Sequence, residues 1–263
     1  MNVTDKAHIL NIPVAPEVHV ELIPIFDNNY VFLIVNTKTQ EALVVDPGES
    51  LATMRFLQKR KLKLAAILVT HHHHDHIDGI SELKKEFKPI VYAPLKNKGQ
   101  IPDVDVFVGE GAQFKAAECE FKVMELPGHT LGHIAYWCGR QNWLFSGDVL
   151  FGLGCGRLFE GSFEQMFQSL GRIKKLPSET KIFCTHEYTE TNLQFCETLS
   201  ESVVEDLHFK SELDIYSRRL RSIRIQSKPS VPLKLAEELK ANPFLVASRL
   251  EIFKVIRNQR NNF

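Results

Sequence analysis

No apolar run in this 263-residue chain approaches the roughly 20 residues needed to span a bilayer. The opening Met1-Asn2-Val3-Thr4-Asp5-Lys6 lacks the basic-then-apolar layout of a secretion signal. An excess of one charge is missing too: 32 Lys and Arg balance 32 Asp and Glu, which gives no electrostatic footprint for nucleic acid or a membrane surface. Cysteine is sparse. The five thiols, at 119, 138, 155, 184 and 196, are odd in number, scattered and without a Cys-x-x-Cys pair. That argues against a disulfide framework and against a thiolate zinc site, and it fits reduced thiols in the cytoplasm. Cys155 lies in a glycine-rich loop and reads as a small buried residue rather than a reactive thiol. Glycine itself disappears after Gly171, where a region of strands and tight turns would need it.

What is present divides the chain in two. Val18–Ile25, Tyr30–Val35 and Ala42–Asp46 are strand candidates, and Asn36-Thr37-Lys38-Thr39-Gln40 makes a polar turn between the last two. Ser50 is the expected N-cap of a helix carrying Leu51, Met54 and Leu57 on one face. Ser162 opens another helix, with Gln165 at the capping-box position and Phe163, Met166, Phe167, Leu170 and Ile173 along its apolar face. From Thr189 onward apolar residues recur at helical spacing: Leu193, Cys196, Leu199 and Val203, then Leu213, Leu220 and Ile223. Pro232 suits a first helical position, and Asn242-Pro243 is expected to open the last helix. Residues 1–17 carry little pattern and read as an extension.

The chemistry concentrates at strand ends. Behind the apolar run Leu64-Ala65-Ala66-Ile67-Leu68-Val69 stands Thr70-His71-His72-His73-His74-Asp75-His76, followed by a helical segment with Ile80, Leu83 and Phe87. Imidazoles and carboxylates together suit zinc, iron or manganese. An affinity tag would sit at a terminus and lack the embedded Asp75. Three further runs end the same way: Lys122–Leu126 leads to His129, Trp143–Phe145 to Asp148, and Ile182–Cys184 to His186. Loops at strand ends are free to converge, and glycines at 128 and 147 let the chain turn sharply just before two of these groups. Which donors share an ion is not readable from spacing.

The run His71-x-His73-x-Asp75-His76 resembles the His-x-His-x-Asp-His signature of the metallo-β-lactamase superfamily. That resemblance leaves His72 and His74 as variable positions. It implies an α/β fold, an αββα sandwich followed by a smaller all-α C-terminal domain, with a division at 18–186 and 187–263. It also implies two divalent ions per chain, zinc first with iron or manganese open. His71, His73 and His129 would hold one ion and Asp75, His76 and His186 the other, with Asp148 bridging. Asp75 and Asp148 would carry the catalytic roles, Asp75 as a ligand that also orients the attacking water.

Further stretches narrow the resemblance. Phe26-Asp27-Asn28-Asn29-Tyr30, Gly154-Cys155-Gly156-Arg157-Leu158-Phe159-Glu160-Gly161, Thr185-His186-Glu187-Tyr188-Thr189, Asn242-Pro243-Phe244 and Arg257-x-x-Arg260 resemble the hydroxyacylglutathione hydrolases (glyoxalase II). By that resemblance the chain is a thioester hydrolase. It would convert S-D-lactoylglutathione to D-lactate and glutathione with a metal-bridging hydroxide, the second step of methylglyoxal detoxification. Its partner would be a small-molecule glutathione thioester, with no nucleic acid and no membrane, and the chain would act as a cytoplasmic monomer. Arg157, Tyr188, Arg257 and Arg260 would contact glutathione, with Asn192 and Phe195 lining the same pocket. Two positions depart from the commoner pattern: Arg260 stands where lysine is frequent, and Phe159 where some members have tyrosine. Three rival readings fit the residues less well. A glutathione persulfide dioxygenase on the same fold would need one iron and not the second set His76, His186 and Asp148. Another superfamily hydrolase (a β-lactamase, lactonase or nuclease) would have no use for the helical tail with Arg257 and Arg260. A non-enzymatic metal buffer would not need donors organised at strand ends.

Overall fold

The computed structural model describes residues 8–15, 17–199 and 209–263. The first residues of the expected extension, and Val203 of the expected helical stripe, lie outside them. The chain divides into two compact units. One comprises the described residues up to Glu125 together with Gly132–Gly147; the other comprises Leu126–Leu131 with Asp148–Phe263.

The first unit is built on a seven-stranded sheet whose spatial order follows the chain. The strands are β1 (His8–Ala15), β2 (Val18–Ile25), β3 (Asn29–Asn36), β4 (Glu41–Val45), β5 (Lys63–Leu68), β6 (Ile90–Pro94) and β7 (Val106–Val108). From β1 to β4 neighbours run antiparallel, and from β4 to β7 they run parallel. Parallel strands buried on both faces read as near-continuous apolar runs, as Ala42-Leu43-Val44-Val45 and Leu64-Ala65-Ala66-Ile67-Leu68 do. Residues 8–15, which carried no pattern, add an edge strand by backbone pairing, with His8 opposite Leu22 and Leu10 opposite Val20.

Helices α1 (Leu51–Arg60) and α3 (Ile80–Phe87) fill the parallel crossovers, and α2 (His74–Ile77) is a single turn inside the histidine run. Leu57, Ile80 and Leu83 share one core with Leu33, Val35, Val44, Ile67 and Val91. Full burial of each such side chain contributes about 1.5–3 kcal/mol. Ser50 stands at the N-cap of α1, but its side chain makes no cap bond. Glu49 does that work, accepting from the amides of Leu51 at 2.8 Å and Ala52 at 2.9 Å. A carboxylate reaches two orphan amides at once where a hydroxyl reaches one.

A second set of strands in this unit is antiparallel, in the order β11-β10-β9-β8. They are β8 (Gln113–Ala116), β9 (Cys119–Glu125), β10 (Ile134–Cys138) and β11 (Trp143–Gly147). This set packs on the first sheet, with the Phe32 and Phe145 rings edge to face at 6.0 Å and Tyr92 stacked on Phe114 at 4.2 Å. The buried Tyr136 hydroxyl donates to Val69 O at 2.9 Å, fixing the chain one residue before Thr70.

The second unit begins with a two-stranded ribbon, β12 (Leu150–Phe151) and β13 (Gly154–Cys155). Then come α4 (Phe163–Ile173), β14 (Lys181–Cys184), α5 (Thr189–Glu197), α6 (Lys210–Ile225), the two-residue β15 (Leu233–Lys234), α7 (Leu235–Ala241), α8 (Pro243–Val246) and α9 (Leu250–Asn261). The capping box at Ser162 forms as the sequence predicts, with both Ser162 Oγ and Gln165 Oε1 accepting from backbone amides. Phe163 and Phe167 of α4 meet Phe253 of α9. Two expectations are corrected. Pro232 leads into β15 rather than a helix, and Asn242 caps only the one-turn α8, the last helix starting at Leu250. No helix among the described residues is long and apolar enough to cross a membrane.

Candidate metal centre

In the first unit His71, His73, Asp75 and His76, donors able to hold a metal ion, follow β5 directly. Two of these imidazoles, His71 and His76, lie near Asp46, which is one residue past β4 and only 1 % exposed. Asp46 Oδ1 accepts from the Thr70 amide and Oδ2 from the Thr70 hydroxyl, both at 2.7 Å. With its proton given to Asp46, Thr70 Oγ1 can only accept from His71 Nδ1, 3.0 Å away. The His71 proton therefore sits on Nδ1, leaving a lone pair on Nε2, and that Nε2 faces His73 Nδ1 at 3.1 Å. His76 Nδ1 also lies 3.1 Å from Asp46 Oδ2, so the same carboxylate faces a second imidazole. The Asn29 side-chain amide donates to Asp75 Oδ2 at 2.8 Å. His72 and His74 point elsewhere, as expected for variable positions: His72 meets the Asn97 amide, and His74, largely exposed, pairs with Asp78.

The second unit brings together His129, Asp148 and His186, all buried. Asp148 Oδ2 lies 3.2 Å from His186 Nε2 and 3.5 Å from His129 Nε2. His129 Nδ1 is 2.7 Å from the carbonyl of Arg157, which only accepts, so Nδ1 carries the proton. In the neutral ring the Nε2 lone pair is then turned toward a carboxylate oxygen. Lone pair facing carboxylate is unfavourable unless a cation intervenes, and an imidazole oriented through its other nitrogen is what metal-ligating histidines show. The donor set fits divalent ions. Gly128 and Gly147, expected to permit sharp turns, have φ of +148° and +49°. A Cβ on Gly147 would lie 2.4 Å from Thr70 Oγ1 and obstruct the Asp46–Thr70 link.

A cavity of about 360 Å³ in the second unit is lined by His129 and Asp148 together with Arg157, Phe159, Tyr188, Asn192, Arg257 and Arg260. Tyr188 stacks on His186 at 4.7 Å with the rings nearly parallel. Arg257 is 4 % exposed; its Nη1 donates to Cys155 O at 2.8 Å, and its buried Nε meets no partner among the described residues. Burial, and then the Arg257 charge, hold the Arg260 guanidinium below its ordinary pKa, so the cavity favours an anionic occupant. Arg260 Nε donates to Asn192 Oδ1 at 3.1 Å. Phe195 does not line this cavity. It is 1 % exposed and lies under Arg260, because its position on α5 faces the core shared with Phe244. Cys155 is buried, and burial pushes its thiol up despite two nearby guanidiniums.

Sequence reasoning missed Asp46, Asn29 as a partner of Asp75, and Glu187. Asp46 ends an apolar strand just as the other donors do, and that signal could have found it. Glu187 accepts from the Ser230 amide at 2.8 Å and from its hydroxyl, fastening the residue after His186. Nothing in the local pattern distinguishes it.

The metallo-β-lactamase superfamily profile matches residues 24–186, and that of the hydroxyacylglutathione hydrolase C-terminus matches 187–263. The B3 metallo-β-lactamase BLEG-1 aligns with a TM-score of 0.66 at 22 % identity, over 87 % of this chain and all of its own, and so shares the fold. A hydroxyacylglutathione hydrolase of Bdellovibrio bacteriovorus is 54 % identical over 94 % of this chain and 99 % of its own length. One from Vibrio cholerae is 41 % identical over 93 % and 99 %. The chain belongs to the hydroxyacylglutathione hydrolase family of the metallo-β-lactamase superfamily.

Proposed function

We propose that the protein hydrolyses S-(2-hydroxyacyl)glutathione thioesters, S-D-lactoylglutathione to D-lactate and glutathione, and does so as a cytoplasmic monomer. The observation that supports this most is the make-up of one cavity, in which metal donors His129 and Asp148 share a wall with Arg157, Arg257 and Arg260. His71, His73 and His129 would hold one divalent ion, Asp75, His76 and His186 a second, and Asp148 would bridge. Zinc is the first choice, with iron and manganese also suited to these ligands. When bound, such ions supply a nucleophilic water at neutral pH and polarise the carbonyl under attack.

The side chains would do the remainder. Arg157, Arg257 and Arg260 suit the two carboxylates of glutathione, whose planar groups match guanidinium forks. Phe159, exposed, lies with its ring 5.5 Å from the Arg157 guanidinium carbon and gives that arm an apolar stop. Asn29 would hold the Asp75 carboxylate in one orientation, so that its other oxygen can align the attacking water. No general acid is needed at the leaving sulfur, because a thiol of pKa about 8.5 departs readily as thiolate.

The test is thiol release from S-D-lactoylglutathione by the purified protein, before chelation, after it, and after metal is restored. Turnover that is lost and regained with metal is the expected result. Absence of turnover in fully loaded protein, with dioxygen consumed in the presence of glutathione persulfide, would replace the reading with the dioxygenase.

A further inference from the structure

We propose that Glu238 is a positioning residue for substrate binding: from α7 it brackets the Phe151–Cys155 turn, which carries two walls of the cavity. The inference rests on the thioesterase reading for its substrate but on its own geometry for the bracket. Glu238 is completely buried. Its Oε2 accepts from the Leu153 amide at 2.9 Å and from the Asn242 side-chain amide at 3.0 Å, and its Oε1 accepts from the Tyr216 hydroxyl at 2.6 Å. The Asn242 NH₂ also lies 3.1 Å from each of the Phe151 and Gly154 carbonyl oxygens, so its two hydrogens are shared among three acceptors. Both ends of the turn and its centre are thus tied to one carboxyl group and its neighbour.

The turn needs such a tie. Leu153 sits at φ +55°, a left-handed conformation unfavourable for a branched side chain without compensation. The residues it sets in place matter to the cavity. Phe151 and Cys155 line it, and the Cys155 carbonyl holds Arg257 through the 2.8 Å bond to Nη1. Nothing in the proposed chemistry uses Glu238 itself, and a buried acid is expensive to keep unless it has such work.

Its protonation state is compatible with the role. Burial pushes the carboxyl up to about 7, against the bonds from Tyr216, Leu153 and Asn242, which favour the anion. The groups that act on it or feel its charge are Tyr216 and Arg219 on α6, Cys196 on α5 and Cys184 on β14, with Glu237 beside it on α7. A proton taken on Oε1 would be donated to the Tyr216 oxygen, while Oε2 keeps accepting from both amides. The bracket therefore survives titration, and a glutamine can imitate it with its oxygen toward Leu153 and its NH₂ toward Tyr216.

The experiment compares Glu238→Gln with Glu238→Leu, and with Glu238→Asp should the leucine variant fail to fold. KM and kcat for S-D-lactoylglutathione, metal content, and hydrogen exchange at the Leu153 amide are read on each metal-loaded protein. Glutamine should keep KM within about twofold of the unaltered protein, whereas leucine or the shorter aspartate should raise it about tenfold, the scale of one lost hydrogen bond. Metal content and kcat should hold, and exchange at Leu153 should accelerate in step with KM. A leucine or aspartate variant with unchanged KM and unchanged exchange would overturn the proposal, as would a fall in kcat with KM constant. Should the unaltered protein not act on the thioester, the exchange arm alone decides the bracket: protection kept by glutamine and lost in leucine supports it, and equal protection in both refutes it.

Discussion

In the first unit four donors arrive between His71 and His76 at the end of one buried strand, and a single carboxylate, Asp46, directs His71 through Thr70 and faces His76. In the second unit His129, Asp148 and His186 come from three separate loops, and each is fixed locally: His129 by the Arg157 carbonyl, His186 by the stacked Tyr188 ring. The first arrangement is compact in sequence and depends on one distant residue. The second is dispersed and depends on the backbone of a loop that also supplies Arg157 and Phe159. A contiguous motif therefore concentrates its vulnerability, while a scattered one couples its donors to the wall of the cavity.

The largest effect should come from the second half. Asp148→Ala should lower turnover by about a thousandfold, the upper range for removing a charge that organises a reaction centre, and should reduce bound metal below two ions; mass spectrometry of the native protein and kinetics together check this. Full occupancy with full turnover would remove the bridging role. The corresponding break in the first half is Asp46→Asn, which keeps size but spoils acceptance from Thr70. A loss of about 10- to 100-fold in turnover or metal affinity is expected, as for partners that orient metal ligands. A change confined to the affinity for glutathione would contradict it.

Smaller effects sharpen the contrast. Arg257→Ala should raise KM about tenfold and leave kcat nearly unchanged, because it removes binding energy common to ground and transition states. Stability against pH offers another reading. Glu238 has a folded pKa of about 7 against an ordinary 4.5, so the folded state holds its proton longer than the unfolded chain does. Its contribution is greatest below the ordinary value and declines as pH rises through that window, and denaturant midpoints should show the slope. Glu238→Gln should flatten it. Last, His74→Ala should change neither turnover nor metal content, since His74 is exposed and paired with Asp78.

Periodicity carried much of the fold. Strand β2 matches the expected Val18–Ile25, and the run ending at Cys184 became β14, because apolar strands bounded by turns leave a strong local trace. Strand β1 left none, since an edge strand is held by backbone pairing rather than by alternating side chains. The donors were legible because imidazole and carboxylate at strand ends are rare by chance. Their supports were not. Glu187 and Glu238 accept hydrogen bonds from residues far along the chain, and such a carboxylate looks in sequence like any surface acid; Asp46 does the same, and only its place at the end of an apolar strand marks it. Phe195 shows the converse, a residue on the right helix whose face turns inward to the core.

The proposed thioester hydrolysis requires two divalent ions per chain. It is tested most directly by titrating metal into stripped protein while following S-D-lactoylglutathione cleavage. Activity that is negligible without metal and reaches its plateau at two equivalents per chain is the predicted result. Full turnover without metal, or a plateau after one equivalent, would contradict it.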